Sequence, residues 1–142
     1  MDDKTFRFED DDLSDDLPAP GFYPSVVVGA RFRRSERGND TIQVVYGLDG
    51  APPGHDRVAE YFLIRGGSPR GRALSRQRLV GLYRACGLEP KGGEAIDPAD
   101  LFGLPLEVRV EHETWQGRLR LRVADHRPLR GAADTSAEPV PF

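Results

Sequence analysis

The sequence contains very little cysteine, lysine or tryptophan, and it has no long apolar run. Its 142 residues include one cysteine, Cys86, one tryptophan, Trp115, and two lysines. A single cysteine excludes an internal disulfide and fits a reducing compartment. No apolar run approaches the roughly 20 residues of a membrane-spanning helix, and the N-terminal segment has no pattern of a secretory signal. We therefore predict a cytoplasmic protein with no membrane partner.

Signals of catalysis are also missing. The three histidines, His55, His112 and His126, are scattered, and no cysteine partner or metal-ligand spacing accompanies them. The arginine-rich stretch RGGSPRGR at 65–72 lacks the lysine and the spacing of a phosphate-binding P-loop. The sequence therefore predicts a protein that is not an enzyme, with no catalytic residue, no metal and no cofactor.

Positive charge is concentrated in the middle of the chain, although the formal net charge is −3. Residues 1–19 hold eight acidic and two basic residues, and residues 131–142 hold two acidic residues. Residues 20–130 hold 18 basic and 13 acidic residues, a balance of +5, and 17 of the 18 are arginine. Arginine grips phosphate and stacks on bases, so this pattern indicates a polyanion partner. A genome that favours arginine codons is the alternative explanation.

The charge pattern divides the chain into three parts. We predict a disordered acidic arm over 1–19, one folded domain over 20–130 and a flexible tail over 131–142. Phe6, Phe8, Leu13 and Leu17 are interleaved with the acids of the arm. Three roles for the arm stay open: a solvating tail, a docking arm for a partner, or a competitor that folds back over a basic groove.

Apolar periodicity predicts five strands and one helix. The strands cover 21–32, 41–48, 57–64, 104–111 and 118–124, and the helix runs from a cap at Ser68 to Cys86. Gly29 predicts a bulge in the first strand. In the third strand we expect Glu60 to face solvent, which places Phe62 outside with it and Tyr61 in the core.

This order, with the helix between the third and fourth strands, predicts an all-β five-stranded OB-fold barrel. That fold binds nucleic acid through strands two and three and through the loops that join strands one to two and four to five. Here the first of these loops covers 31–39 and is rich in arginine, and the second carries Trp115. Both loops therefore lie where the fold has its binding surface.

The predicted DNA-binding residues combine cations for phosphates with flat side chains for bases. They are Arg31, Phe32, Arg33, Arg34, Arg37, Phe62, Arg109, Trp115, Arg118, Arg120 and Arg122. For some of these residues a structural role stays open as the alternative to DNA binding. The arginines of the last strand can pair with glutamates across the hairpin. Trp115 can cover the end of the barrel.

About three-quarters of the chain resembles a phage and prophage family of small OB-fold single-stranded DNA-binding proteins. The resembling segments are GFYPSVVVGARFRRSERGND, IQVVYGLDG, RVAEYFLI, RQRLVGLYRACGL, DLFGLPLEVRV and RLRLRVADHRPL. The resemblance implies DNA binding in replication or recombination. The last two residues, Pro141 and Phe142, also resemble the C-terminal tip with which bacterial single-stranded DNA-binding proteins recruit replication and repair enzymes.

The expected function is sequence-tolerant binding of single-stranded DNA without catalysis. The alternative is an OB-like module that binds a protein of a replication or repair complex. The sequence leaves open the oligomeric state and the choice between DNA and RNA.

Overall fold

A computed structural model describes residues 17–93 and 95–129, which form a mostly β structure. The strands are β1 (Gly21–Arg34), β2 (Asp40–Leu48), β3 (Arg57–Arg65), β4 (Pro105–Trp115) and β5 (Arg118–Arg127). Helix α1 (Pro69–Ala85) follows β3, and a short 3₁₀ helix, Pro98–Leu101, precedes β4. No helix in this part of the chain is long and apolar enough to cross a membrane. Residues 1–16 of the predicted arm and the whole predicted tail lie outside the described residues.

The five strands form one antiparallel sheet in the order β3-β2-β1-β4-β5. The register of β1 against β2 shifts between Val27 and Gly29, which confirms the bulge predicted there. Between residues 17 and 129 no backbone ladder joins the edge strands β3 and β5, so the sheet is not closed into a barrel. Side chains join these edges instead, since His126 Nε2 on β5 lies 2.6 Å from Glu60 Oε1 on β3.

The core lies between one face of this sheet and one face of α1. On β2, Ile42, Val44 and Tyr46 alternate inward and are buried, as their period of two predicts. The start of α1 is also as predicted, because Ser68 Oγ accepts a hydrogen bond from the Gly71 N–H at 3.0 Å. The periodicity of the sequence is therefore sufficient to place most of the core.

The predicted loop over 31–39 is shorter in the structure. Strand β1 continues to Arg34, and only residues 35–39 form the turn to β2. The sequence predicts a loop here because neighbouring arginines repel each other. In the structure, pairing with β2 provides hydrogen-bond partners for the backbone N–H and C=O groups of this segment, so it forms a strand. The strand also sends Arg31 and Arg33 to one face and Arg34 to the other.

The predicted orientation of β3 is wrong. Val58, Glu60 and Phe62 face the core and are buried, whereas Tyr61 faces solvent. The prediction assumed that a carboxylate faces water. Glu60 is buried because the Tyr46 hydroxyl donates a hydrogen bond to its Oε1 at 2.7 Å and Arg78 forms an ion pair with its Oε2.

Candidate nucleic-acid interface

The outer face of β1, β2 and β3 carries a row of polar and aromatic side chains. Backbone pairing sets Arg31 opposite Gln43 and Gln43 opposite Tyr61, so the three side chains lie side by side. Arg33 is two residues further along β1 and therefore shares their face. These four residues are called the outer-face row below.

Hydrogen bonds to Gln43 connect the row. Its Oε1 accepts from Arg31 Nε and from Arg33 Nη1, both at 3.3 Å, and its Nε2 donates to the Tyr61 hydroxyl at 3.1 Å. No carboxylate of the described residues forms an ion pair with either arginine. Because the amide of Gln43 is neutral, it does not offset the positive charge of either guanidinium group. Beside them the Tyr61 ring is 52% exposed, which leaves a face for a nucleobase.

A cleft of about 600 Å³ lies between the edges of β3 and β5, and Tyr61 is one of its lining residues. It is called the β3–β5 cleft below. Its charged and aromatic lining comprises Arg57 and Tyr61 from β3, Arg78 from α1 and Arg120 and Arg122 from β5. The apolar part includes Ala59, Leu119 and Leu121. The outer-face row and the cleft thus form one continuous cationic surface with an aromatic ring where they meet.

The arginines of the β4–β5 hairpin differ from the row because they have acidic partners. Arg120 Nε lies 2.7 Å from Glu113 Oε2, and Arg122 Nη1 lies 2.9 Å from Glu111 Oε1. Arg109 Nη1 also contacts Glu111, at 2.7 Å. The alternative of cross-hairpin ion pairs is therefore confirmed for Arg120 and Arg122. Arg118 is exposed and lies opposite Trp115 in the ladder.

Trp115 lies at the end of the β4–β5 hairpin, close to the cleft. The turn is two residues long, and both Gln116 (φ 50°) and Gly117 (φ 76°) have positive φ, as in the tight turns that suit twisted strands. The indole ring is 50% exposed, and the Arg120 guanidinium carbon lies 4.6 Å from its centroid. Since Arg120 lines the cleft, the indole is placed beside one end of it.

The other predicted residues are not part of this surface. Phe62 is fully buried, so the prediction of an exposed stacking ring at that position is wrong. Phe32 pairs with Ile42 on the inner face but remains half-exposed, and it lines grooves with Ile64, one of which Arg33 also lines. Arg34 shares the face of Phe32. Arg37 is exposed in the β1–β2 turn, and Pro141 and Phe142 lie outside the described residues.

A buried polar cluster lies beneath the cleft. Glu60 accepts hydrogen bonds from the Tyr46 hydroxyl and His126 Nε2, and it forms an ion pair with Arg78. Burial lowers the pKa of His126 to about 4, and the charge of Arg78 acts in the same direction. Because Arg78 already neutralises Glu60, a protonated His126 would place a second cation beside Glu60, in a buried position. His126 is therefore neutral near pH 7 and donates its Nε2 proton to Glu60.

Sequence reasoning missed one member of the outer-face row, Gln43, and for Tyr61 it favoured a core position over a stacking surface. The outward position of Gln43 follows from the predicted alternation of β2, whereas that of Tyr61 depends on the orientation of β3, which the usual rule for Glu60 reverses. The signal that could have corrected this is the set of polar side chains at other inward positions, namely Tyr46 and His126. A carboxylate with such partners can be buried.

No known family model matches the chain, and a search of curated proteins finds no significant match. Within the described residues, no group of three or more histidine, cysteine, aspartate or glutamate side chains is arranged to hold a metal ion. The function must therefore be inferred from the fold and from the geometry of the cationic surface.

Proposed function

We propose that this chain is an OB-fold protein that binds single-stranded DNA without sequence preference and without catalysis, in replication or recombination. The observation that carries the proposal is the outer-face row. Arg31 and Arg33 bear unneutralised charge next to the half-exposed ring of Tyr61, and the row opens into the β3–β5 cleft.

The strand arrangement supports the OB-fold part of the proposal. That fold is a five-stranded, partly open barrel. Its ligands bind on strands two and three, between the loop that joins strands one and two and the loop that joins strands four and five. In this chain Gln43 and Tyr61 lie on β2 and β3, the turn with Arg37 joins β1 to β2, and Trp115 ends the β4–β5 hairpin. The side-chain bridge from Glu60 to His126 brings together the two edges of the open sheet.

The chemistry of the surface supports single-stranded DNA as the ligand. Exposed guanidinium groups hold phosphates, and flat rings stack on unpaired bases whatever their identity. Duplex DNA hides its ring faces, so it would use the cations but not Tyr61 or Trp115. Tolerance of sequence follows because stacking and phosphate contacts do not read base edges.

The test is binding of the full-length protein to oligo-dT across a salt series. We expect binding that weakens steeply with salt, because each neutralised phosphate releases counterions. Tyr61→Ala should weaken binding about 5- to 150-fold, which corresponds to the 1–3 kcal/mol of one stacked base. Tyr61→Phe keeps the ring and should bind almost as the wild type does.

Leu74→Ala is the matched control, since Leu74 is an exposed apolar residue on α1, outside the cationic surface. It should leave binding unchanged. Circular dichroism checks that each variant is folded. If the wild type does not bind oligo-dT at low salt, the proposal fails and the protein-interaction module becomes the better hypothesis.

A further inference from the structure

The β3–β5 cleft has the charge of a site for an acidic ligand. Its walls carry four arginines and two glutamates, so its formal charge is +2: Arg57, Arg78, Arg120, Arg122, Glu60 and Glu113. Apolar side chains lie among them, and Leu119 is 40% exposed there. A ligand that combines carboxylates with aliphatic or aromatic groups matches both parts of this lining.

The N-terminal segment of the chain enters the structure at this cleft. Leu17 is itself one of the lining residues. The next two residues are held in place, because the Pro18 carbonyl lies 2.7 Å from His112 Nε2 and the Ala19 carbonyl accepts a hydrogen bond from the Tyr23 hydroxyl at 2.6 Å. The residues before Leu17 are therefore tethered beside the cleft.

Residues 1–16 are complementary to the lining of the cleft, because they combine acidic residues with apolar ones. They contain eight acidic and two basic residues, and the part next to Leu17, Glu9–Asp16, reads EDDDLSDD with Leu13 among six acids. Fully extended, 16 residues reach about 50 Å, far more than is needed to lie along the cleft. A tether this short keeps the segment at an effective concentration on the order of millimolar.

We propose that residues 1–16 bind in the β3–β5 cleft and leave it when nucleic acid binds. The docking of the segment does not depend on the proposed function, whereas its displacement by DNA rests on it. Carboxylates of Glu9–Asp16 pair with Arg57, which has no ion pair among the described residues, and share Arg78, Arg120 and Arg122 with the glutamates that already contact them. Leu13 packs against the exposed aliphatic wall. The segment thus occupies the part of the surface that Tyr61 and Arg120 line.

Disulfide trapping tests the docking without any DNA. In full-length protein with Cys86→Ser, one cysteine is placed in the segment by Ser14→Cys and the other in the cleft by Ala59→Cys. Ser14 is uncharged and Ala59 is exposed on β3, so both changes are mild. In a glutathione redox buffer at low salt we expect most of the protein to form the internal disulfide, and much less to do so at 1 M salt, where docking is screened.

The control pairs Ser14→Cys with Gln77→Cys, an exposed position on α1 next to Arg78 but outside the cleft lining. It should form little disulfide at either salt concentration. Equal trapping at positions 59 and 77, or trapping at position 59 that salt does not reduce, overturns the proposal. Neither result depends on whether the protein binds DNA.

Competition is tested with Leu13→Ser, which keeps every charge of the segment. If the segment is seated in the cleft, loss of the Leu13 contact should tighten oligo-dT binding about three- to tenfold. If the acidic residues only repel DNA by long-range electrostatics, the affinity for oligo-dT should not change, and the competition part of the proposal is then wrong. If the wild type fails to bind oligo-dT while the position 59 disulfide still forms, the proposed function fails and the docking stands.

Discussion

Two hairpins of this molecule are rich in arginine, yet they offer different charge to a ligand. In the β1–β2 hairpin, Arg31 and Arg33 share the neutral amide of Gln43. In the β4–β5 hairpin, Arg120 and Arg122 contact the carboxylates of two glutamates. The first hairpin therefore exposes free cations, whereas the second exposes ion pairs.

The residue opposite each arginine in the ladder explains this difference. Arg31 and Arg33 are paired with Gln43 and Thr41, while Arg120 and Arg122 are paired with Glu113 and Glu111. Directly opposed side chains on one face of a sheet lie close enough to interact. The net charge of an arginine-rich strand is thus decided by the sequence of its neighbour and by the register between them.

Ion pairs of this exposed kind add little to stability, about 0–1 kcal/mol each. They matter more for binding, because a phosphate must compete with the carboxylate for the same guanidinium group. We therefore expect the β1–β2 hairpin to supply most of the electrostatic affinity. The β4–β5 hairpin would contribute mainly the Trp115 ring and the wall of the cleft.

The largest expected effect concerns the contact between the two edge strands of the sheet, where His126 of β5 meets Glu60 of β3. The pKa of His126 is lowered from 6.5 to about 4, chiefly by burial and then by Arg78. Below pH 6.5 the unfolded chain binds a proton at His126 and the folded chain does not. The free energy of unfolding should therefore fall by about 3 kcal/mol as the pH drops from about 6.5 to about 4.

Urea unfolding at a series of pH values measures this loss. The reference variant is His126→Gln, whose amide can still donate to Glu60 but does not titrate. The other histidines and the carboxylates titrate in both proteins, so the difference between the two stability curves isolates His126. Parallel curves over this pH range would show that His126 titrates alike in the folded and unfolded chains, contrary to the burial argument.

The second prediction compares the two hairpins directly. Arg31→Ala with Arg33→Ala should weaken oligo-dT binding on the order of twentyfold at 0.1 M salt and reduce the salt slope by about 1.4, the value for two lost phosphate contacts on a single strand. Arg120→Ala with Arg122→Ala removes the same formal charge. It should weaken binding less than about threefold, since those arginines are already neutralised by glutamate.

Equal losses for the two double variants would contradict the distinction between free and paired arginines. Thermal unfolding checks that both variants remain folded.

Much of the fold could be predicted from the sequence because local patterns determine it. The alternation of β2 and the cap at Ser68 each depend on neighbouring residues alone. The connection expected over 112–117 is only two residues long, because β4 continues to Trp115. The two other errors have longer-range causes. Glu60 is buried because of partners on β2, α1 and β5, and the segment from Arg31 to Arg34 is a strand because β2 pairs with it.

The candidate site could be predicted only in part, for the same reason. Composition is sufficient to select the arginines and Trp115. It does not show which arginines are free, because that depends on the register of two ladders. Tyr61 was assigned to the core because a single error in the orientation of β3 reverses every residue of that strand.

The smallest expected effect would make the second hairpin resemble the first. Glu113→Gln replaces the carboxylate beside Arg120 with an amide, as Gln43 provides for Arg31. We expect oligo-dT binding to tighten about twofold, because the freed guanidinium can then hold a phosphate. The matched control is Glu89→Gln, which breaks an exposed pair with Arg84 near the end of α1, at 3.1 Å, and changes the net charge equally. If both variants tighten binding to the same extent, affinity follows the overall charge of the protein, and the partner opposite each arginine is irrelevant. If only Glu113→Gln does so, the register of the ladder controls which arginines bind.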